Sequence, residues 1–199
     1  MQQNQGKKSK KLKIKPDWHW ITTIFGATIG ISATMSFFSN EILSGGGLIL
    51  SFAVLLVIIL IGILFDIIGV SVTAAEEKPF HSMAAKKVPE AREALKMLRR
   101  AERVSSFCND VVGDICGVIS GSAAAVIAAK AIAGMSPVLG SVVQLLLSAV
   151  VAGLTVGGKA FGKSIAMNNS TAIIHAAAKV MYLVKSLPGR VTRRKRDRG

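Results

Sequence analysis

The stretch VSSFCNDVVGDICGVISGSAAAVIAA, residues 104–129, decides the fold of this chain. It is long and apolar enough to cross a bilayer as one helix, which takes about 20 mainly apolar residues. Its first half nevertheless carries Asn109, Asp110 and Asp114, and charged side chains inside hydrocarbon are costly and mark functional positions. Glycines follow with a spacing that lets a neighbouring helix approach closely, at Gly113, Gly117 and Gly121. The stretch therefore predicts a polar, tightly packed inner helix.

The composition argues against an ordinary soluble domain. Of 199 residues, 51% are hydrophobic, and the mean hydropathy is +0.50, whereas soluble domains carry more charge and shorter apolar runs. The formal net charge is +14, with basic residues clustered at both ends and in one central segment. Such a charge can indicate nucleic-acid binding, but between long apolar runs it favours a role in membrane orientation. We therefore expect no nucleic-acid partner.

Four apolar runs predict an all-α, polytopic membrane protein. They cover residues 21–38, 48–70, 104–129 and 138–156. The first follows a basic segment, as the core of a signal peptide would, but no small-residue cleavage site comes after it, so we expect an uncleaved anchor. The second is interrupted near its far end by Asp66, which shares one helix face with glycines on either side.

Amphipathic segments and basic tails complete the predicted chain. Amphipathic helices are predicted at residues 86–103 and 171–187, each lying against the membrane surface or another helix. Basic tails, residues 1–17 and 188–199, flank a transmembrane domain of residues 18–187. Because basic residues mark the cytoplasmic side, both tails and the segment before the third span are expected in the cytoplasm. We expect a bacterial plasma membrane, with anionic lipid at the basic termini.

Short motifs near the ends of the last three spans occur in the order found in one known membrane domain. The second span closes with Ala74-Ala75-Glu76, and the third opens with a polar run from Ser105 to Asp110. The fourth ends in Gly158-Lys159-Ala160-Phe161-Gly162-Lys163-Ser164. Residues 73–187 thereby resemble the transmembrane domain of the CorB/CorC/CNNM family of magnesium transporters. Lys159 stands where that family has a glutamate, and Gly162 where it has a proline.

The resemblance implies a module that transports or binds Mg²⁺ through polar residues in the inner half of its spans, and that forms a homodimer. The family's cytoplasmic CBS-pair and CorC-type domains have no counterpart in these residues, so we expect the membrane domain alone. Carboxylate and amide oxygens are the hard ligands that Mg²⁺ prefers. The residues predicted to hold the ion, at similar depth, are Asp66, Asn109, Asp110 and Asp114.

A competing interpretation assigns these polar side chains to helix packing. Lys159 is expected to enter the same layer, where its ammonium could replace the cation and leave a non-transporting scaffold or accessory subunit. We expect no enzyme in either case, because no nucleophile–base pair, phosphate loop or zinc motif is present. The sequence thus predicts a divalent-cation transport module, with a membrane scaffold as the alternative.

The distribution of basic residues predicts which loops are reached from outside the cell. Single cysteines at Gly45 or Ser136 should react with a membrane-impermeant thiol reagent added to intact cells, because both lie in loops poor in lysine and arginine. Cysteines at Ala85 or Arg198 should react only after the membrane is opened. External labelling at Ala85 would contradict the predicted orientation.

Overall fold

The computed structural model describes residues 18–196, with side chains for 18–43 and 45–186, and within that part the regular structure is entirely helical. Eight α-helices and one π-helical segment follow in order: α1 (Trp18–Gly45), α2 (Leu48–Ala74), α3 (Lys78–Ala85), α4 (Ala91–Leu98), α5 (Ala101–Ser106), the π segment (Phe107–Gly113), α6 (Asp114–Ala131), α7 (Pro137–Asn168) and α8 (Ser170–Arg196). The predicted all-α class is confirmed. The amino-terminal tail, residues 1–17, lies outside the described residues.

Four helical stretches are long and apolar enough to cross a membrane: Trp18–Leu43, Leu48–Ala74, Ala101–Ala131 and Pro137–Asn168. The third joins α5, the π segment and α6 into one continuous stretch, and 61% of its most apolar window is buried by the other helices. No other span is buried to that extent. The predicted inner helix is therefore found where the sequence placed it.

Helix α2 occupies the centre of the bundle and contacts each of the other three spans. It is the most apolar helix, with a hydropathy of 3.3 over its best window. Its residues Leu55 and Ile59 pack with Ile127 of α6 and Val151 of α7 in one buried cluster. Nearer the middle of the bundle, Ile58 packs against the π segment and α6. The helices therefore wrap around α2.

Glycines on α2 and α7 set the distance between the helices. A Cβ added at Gly62 would lie 2.9 Å from the Cβ of Cys116 on α6, and one at Gly162 would lie 2.8 Å from Ile67 Cγ1. Added at Gly117 or Gly121 it would meet nothing within 4 Å. Close approach of the helices therefore depends on Gly62 and Gly162, and not on Gly117 or Gly121 of α6.

Polar contacts fix α1 at both of its ends. Lys130, near the end of α6, donates to the main-chain oxygens of Leu43 and Gly46, where α1 ends. Terminal carbonyls of a helix lack intrahelical partners, and a lysine satisfies them well. At the opposite end, the Arg103 guanidinium lies 5.0 Å from the centre of the Trp20 ring. Lys130 therefore has a structural role at the contact between α6 and the end of α1.

Helices α3, α4 and α8 form a second layer beyond the spans. Phe80 of α3 and Ile174 of α8 are fully buried against Val72, near the end of α2. An ion pair joins α4 to α8, because Glu93 accepts a hydrogen bond from Lys185 of α8 at 2.5 Å. Within α4, Glu93 also accepts one from Lys96 at 2.8 Å. These bonds hold the pKa of Glu93 below its ordinary value.

Two predicted helix boundaries are wrong. The segment expected to form one amphipathic helix over residues 86–103 contains the turn after α3, the short helix α4 and the start of the third span. A turn before Pro89 separates α3 from α4, since proline removes a donor and disfavours helix in the residue before it. The second amphipathic helix was expected to end at Leu187, but α8 continues through Pro188 to Arg196.

The glycine contacts predict unequal effects of two similar substitutions. Gly62→Ala should destabilise the protein by about 1–3 kcal/mol, because the new methyl meets a Cβ that cannot rotate away. Gly158→Ala should be nearly neutral, since its methyl would meet Ile63 Cδ1 at 2.3 Å, the tip of a side chain that can turn. Thermal unfolding in detergent measures both. Equal losses of stability would contradict the proposed helix contact.

Candidate functional site

The third span contains a π-helical segment at the position of its polar residues. Phe107–Gly113 follows α5 without a break and passes directly into α6. Such segments are rare, weaken the regular hydrogen-bond ladder and occur often at functional sites. Cys108, Val111 and Val112 are buried here, whereas Asp110 is exposed. The segment therefore buries its apolar side chains and leaves one carboxylate, Asp110, exposed.

Asn109 projects from the π segment against α2. Its Nδ2 donates to Ser105 Oγ at 3.3 Å, whereas its Oδ1 is buried and accepts no hydrogen bond within the described structure. A Cβ at Gly69 would lie 2.0 Å from that oxygen, so only glycine leaves room for the amide there. A buried acceptor without a donor is unfavourable by about 1–3 kcal/mol. Asn109, one of the predicted site residues, therefore has a buried side-chain oxygen without a hydrogen-bond donor.

Among the residues with described side chains, the three predicted carboxylates do not form one cluster. Asp66 on α2 is half-buried, and the charges that act on it come from Lys159, Lys163 and Asp114. Asp110 is exposed, and so is the side chain of Asp114, at 74%. Over residues 18–43 and 45–186, no three His, Cys, Asp or Glu side chains lie close enough to hold a metal ion together.

Lys159 reaches the polar layer from α7, as its position in the sequence predicted. Its Nζ lies 3.3 Å from the carbonyl oxygen of Gly113 and 4.0 Å from Asp114 Oδ1. It donates a hydrogen bond to the Gly113 carbonyl, at the end of the π segment. The ammonium therefore partly neutralises the layer and competes with any cation for its oxygens.

An open face runs along α6 from the acidic residues. Asp110 and Asp114 are exposed on it, and a Cβ at Gly117 would meet nothing within 4 Å. A cavity of about 200 Å³ follows between α6 and α7, lined mostly by small residues, among them Gly117, Gly121, Ser148, Ala152 and Thr155. Carboxylates and small residues on one exposed face are unsuited to contact with lipid tails.

The sequence predicts which polar residues belong to the candidate site, but not what they contact. The role of Gly69 in admitting the Asn109 amide was missed, because the glycine was assigned only to a helix-packing face. The sequence places Gly69 on the same face of α2 as Gly62. The structure shows that Gly62 packs against α6.

Comparison with known proteins adds no relative: no protein-family profile, curated protein or solved structure matches this chain.

Proposed function

We propose that this chain is an integral membrane protein of the plasma membrane whose polar layer binds a divalent cation, Mg²⁺, as part of a transport module. The observation that carries the proposal is the buried, unpaired Oδ1 of Asn109. An amide oxygen can accept two bonds, and a cation would satisfy it inside an apolar bundle. The motifs shared with the CorB/CorC/CNNM membrane domain favour Mg²⁺ as the ion.

The ligand chemistry suits an ion that keeps part of its water shell. Mg²⁺ demands six oxygens in near-octahedral geometry but dehydrates reluctantly, so one or two protein ligands are enough. Asn109 supplies an amide oxygen, and Asp66 supplies a half-buried carboxylate on the neighbouring helix. Asp110 and Asp114 would attract the ion from the exposed face of the same segment.

One observation favours the alternative, a membrane scaffold that does not transport. The Lys159 ammonium already contacts Gly113 O and lies near Asp114. A tethered ammonium in this position would stabilise the layer permanently and leave no need for a mobile ion. The two functions therefore differ in the role of Lys159, which is a competitor in one and a structural cation in the other.

Thermal unfolding with and without Mg²⁺ separates the two functions. Under the transport proposal, saturating Mg²⁺ should stabilise the wild type by about 2–3 kcal/mol, and Asn109→Ala and Asp114→Asn should remove that effect. Gly69→Ala should do the same by displacing the Asn109 amide. Lys159→Glu should strengthen the response. Asn168→Ala, an exposed asparagine at the end of α7, is the matched control.

A flat Mg²⁺ response in the wild type, while the protein melts cooperatively, would reject the cation site. Under the scaffold alternative, Lys159→Glu should destabilise the protein by about 3 kcal/mol or more, because it leaves acidic groups in the bundle without a counter-charge. Ca²⁺ and Na⁺ in parallel series distinguish a selective site from screening by salt.

We further propose that the open face of α6 is covered by a second copy of the chain, giving a homodimer. The face carries Asp110 and Asp114, and in a bilayer it needs a polar or protein surface opposite. Its glycines make no close contact within the protomer and so remain available for a partner helix.

Gly117→Leu should weaken that dimer without disturbing the protomer, because a Cβ at this position meets nothing within 4 Å. Crosslinking in native membranes should show the loss, while the melting temperature of the protomer in detergent stays near that of the wild type. Val118→Leu, at a neighbouring position that is 70% exposed, is the control. A wild type that crosslinks only as a monomer would refute the dimer.

A further inference from the structure

A basic groove lies in the second layer, outside the four spans. It has a volume of about 580 Å³, within the usual range of ligand sites. Its walls come from the end of α3, the turn that follows, α4 and α8: Ala84, Lys87, Val88, Pro89, Arg92, Glu93, Lys96 and Tyr182. The cation site proposed above uses none of these residues.

The charges that line the groove leave an excess of positive charge. Its single carboxylate, Glu93, is already bound by Lys96 and by Lys185 from α8. The side chains of Lys87 and Arg92 make no hydrogen bond or ion pair with another residue in the part of the chain with described side chains. Two cations therefore face the groove without a counter-charge, and an anion is the ligand that would supply one.

Lys87 lines the groove with its backbone in a conformation that is unfavourable for a residue with a side chain. Its φ is 60°, and no other residue except glycine has a positive φ within residues 18–196. It ends α3 in a Schellman motif, because its N–H bonds Ala84 O at 3.0 Å and the N–H of Val88 bonds Met83 O at 3.1 Å. Glycine is the usual residue at this position, and a side chain there is strained. The strain is consistent with a use for the lysine side chain.

The groove adjoins an apolar surface that would rest on a membrane. On α8, Val180, Leu183 and Val184 are 61%, 50% and 60% exposed, at a spacing that places them on one helix face. Tyr182, on the same helix, lines the groove. An apolar stripe beside basic groups is typical of a helix at the lipid–water interface. An anion in the groove would then lie at the level of the lipid headgroups.

We infer that this groove binds the phosphate of an anionic phospholipid, with Lys87 and Arg92 as its direct partners. Arginine matches phosphate oxygens with two parallel hydrogen bonds, and lysine adds a point charge. Two unpaired cations favour a headgroup that ends in a phosphomonoester, which carries up to two negative charges, over a phosphodiester, which carries one. The ion pair between Glu93 and Lys185 holds α4 and α8 together at the groove wall.

Lipid-dependent thermal stabilisation tests the inference. Purified protein in neutral detergent with EDTA is melted with short-chain phosphatidic acid, phosphatidylglycerol or phosphatidylcholine, or with inorganic phosphate. Phosphatidic acid should raise the melting temperature most. Arg92→Gln should lower the affinity for it about tenfold, as expected for loss of a charge-assisted hydrogen bond. Because EDTA removes Mg²⁺, the result is independent of the proposed cation site.

Substitutions at Lys87 separate binding from folding. Lys87→Gly should raise the melting temperature of the lipid-free protein by removing the strain at φ 60°, and should at the same time abolish the preference for phosphatidic acid. Lys86→Gln removes the neighbouring exposed charge, which does not line the groove. It should weaken the binding of all anionic lipids alike and keep the preference for phosphatidic acid.

Three results would overturn the inference. The first is an unchanged preference for phosphatidic acid in both Arg92→Gln and Lys87→Gly. The second is stabilisation by phosphatidylglycerol equal to that by phosphatidic acid, which would mean surface attraction only. The third is equal stabilisation by inorganic phosphate, which would place the ligand in solution rather than in the membrane.

Discussion

The close contact of α2 with the third span is the constraint on which the rest of the structure depends. Gly62 lets the backbone of α2 reach Cys116, and Gly69 lets it receive the Asn109 amide. A Cβ at either position would come within 3 Å of the facing helix. Because α2 also contacts α1 and α7, a shift at this contact would alter the whole bundle. Small residues matter here since helices in lipid gain stability from close packing, not from hydrophobic burial.

The same contact creates the polar layer. By bringing the π segment against α2, it removes Asn109 Oδ1 from solvent without giving it a donor. Lys159 enters from α7 and donates to the Gly113 carbonyl, so the π segment carries one unpaired amide oxygen and receives one ammonium from a neighbouring helix. In the proposed functions, the role of Lys159 distinguishes a cation transport module from a scaffold, because its ammonium already lies beside Asp114 and the Gly113 carbonyl.

The second layer packs against the end of α2. Helices α3 and α4 follow α2, and α8 follows α7, so the ion pair from Glu93 to Lys185 of α8 ties together the segments that follow two spans. The groove between them carries the unpaired cations Lys87 and Arg92 beside the apolar stripe of α8. A bound lipid phosphate would therefore act on the ends of α2 and α7, the helices that carry Asp66 and Lys159.

The sequence by itself determined the helical class, the four apolar stretches and the residues of the polar layer, because hydropathy and rare intramembrane carboxylates are local signals. It also placed Lys159 in that layer. Only the tertiary structure decided that the Asn109 amide oxygen is buried against Gly69 while Asp110 and Asp114 face outward, since the π segment changes which side chains share a face. It likewise divided residues 86–103 between a turn, α4 and the start of the third span. It brought Lys87 and Arg92 to the same groove as Tyr182, because contacts between distant segments have no local signature.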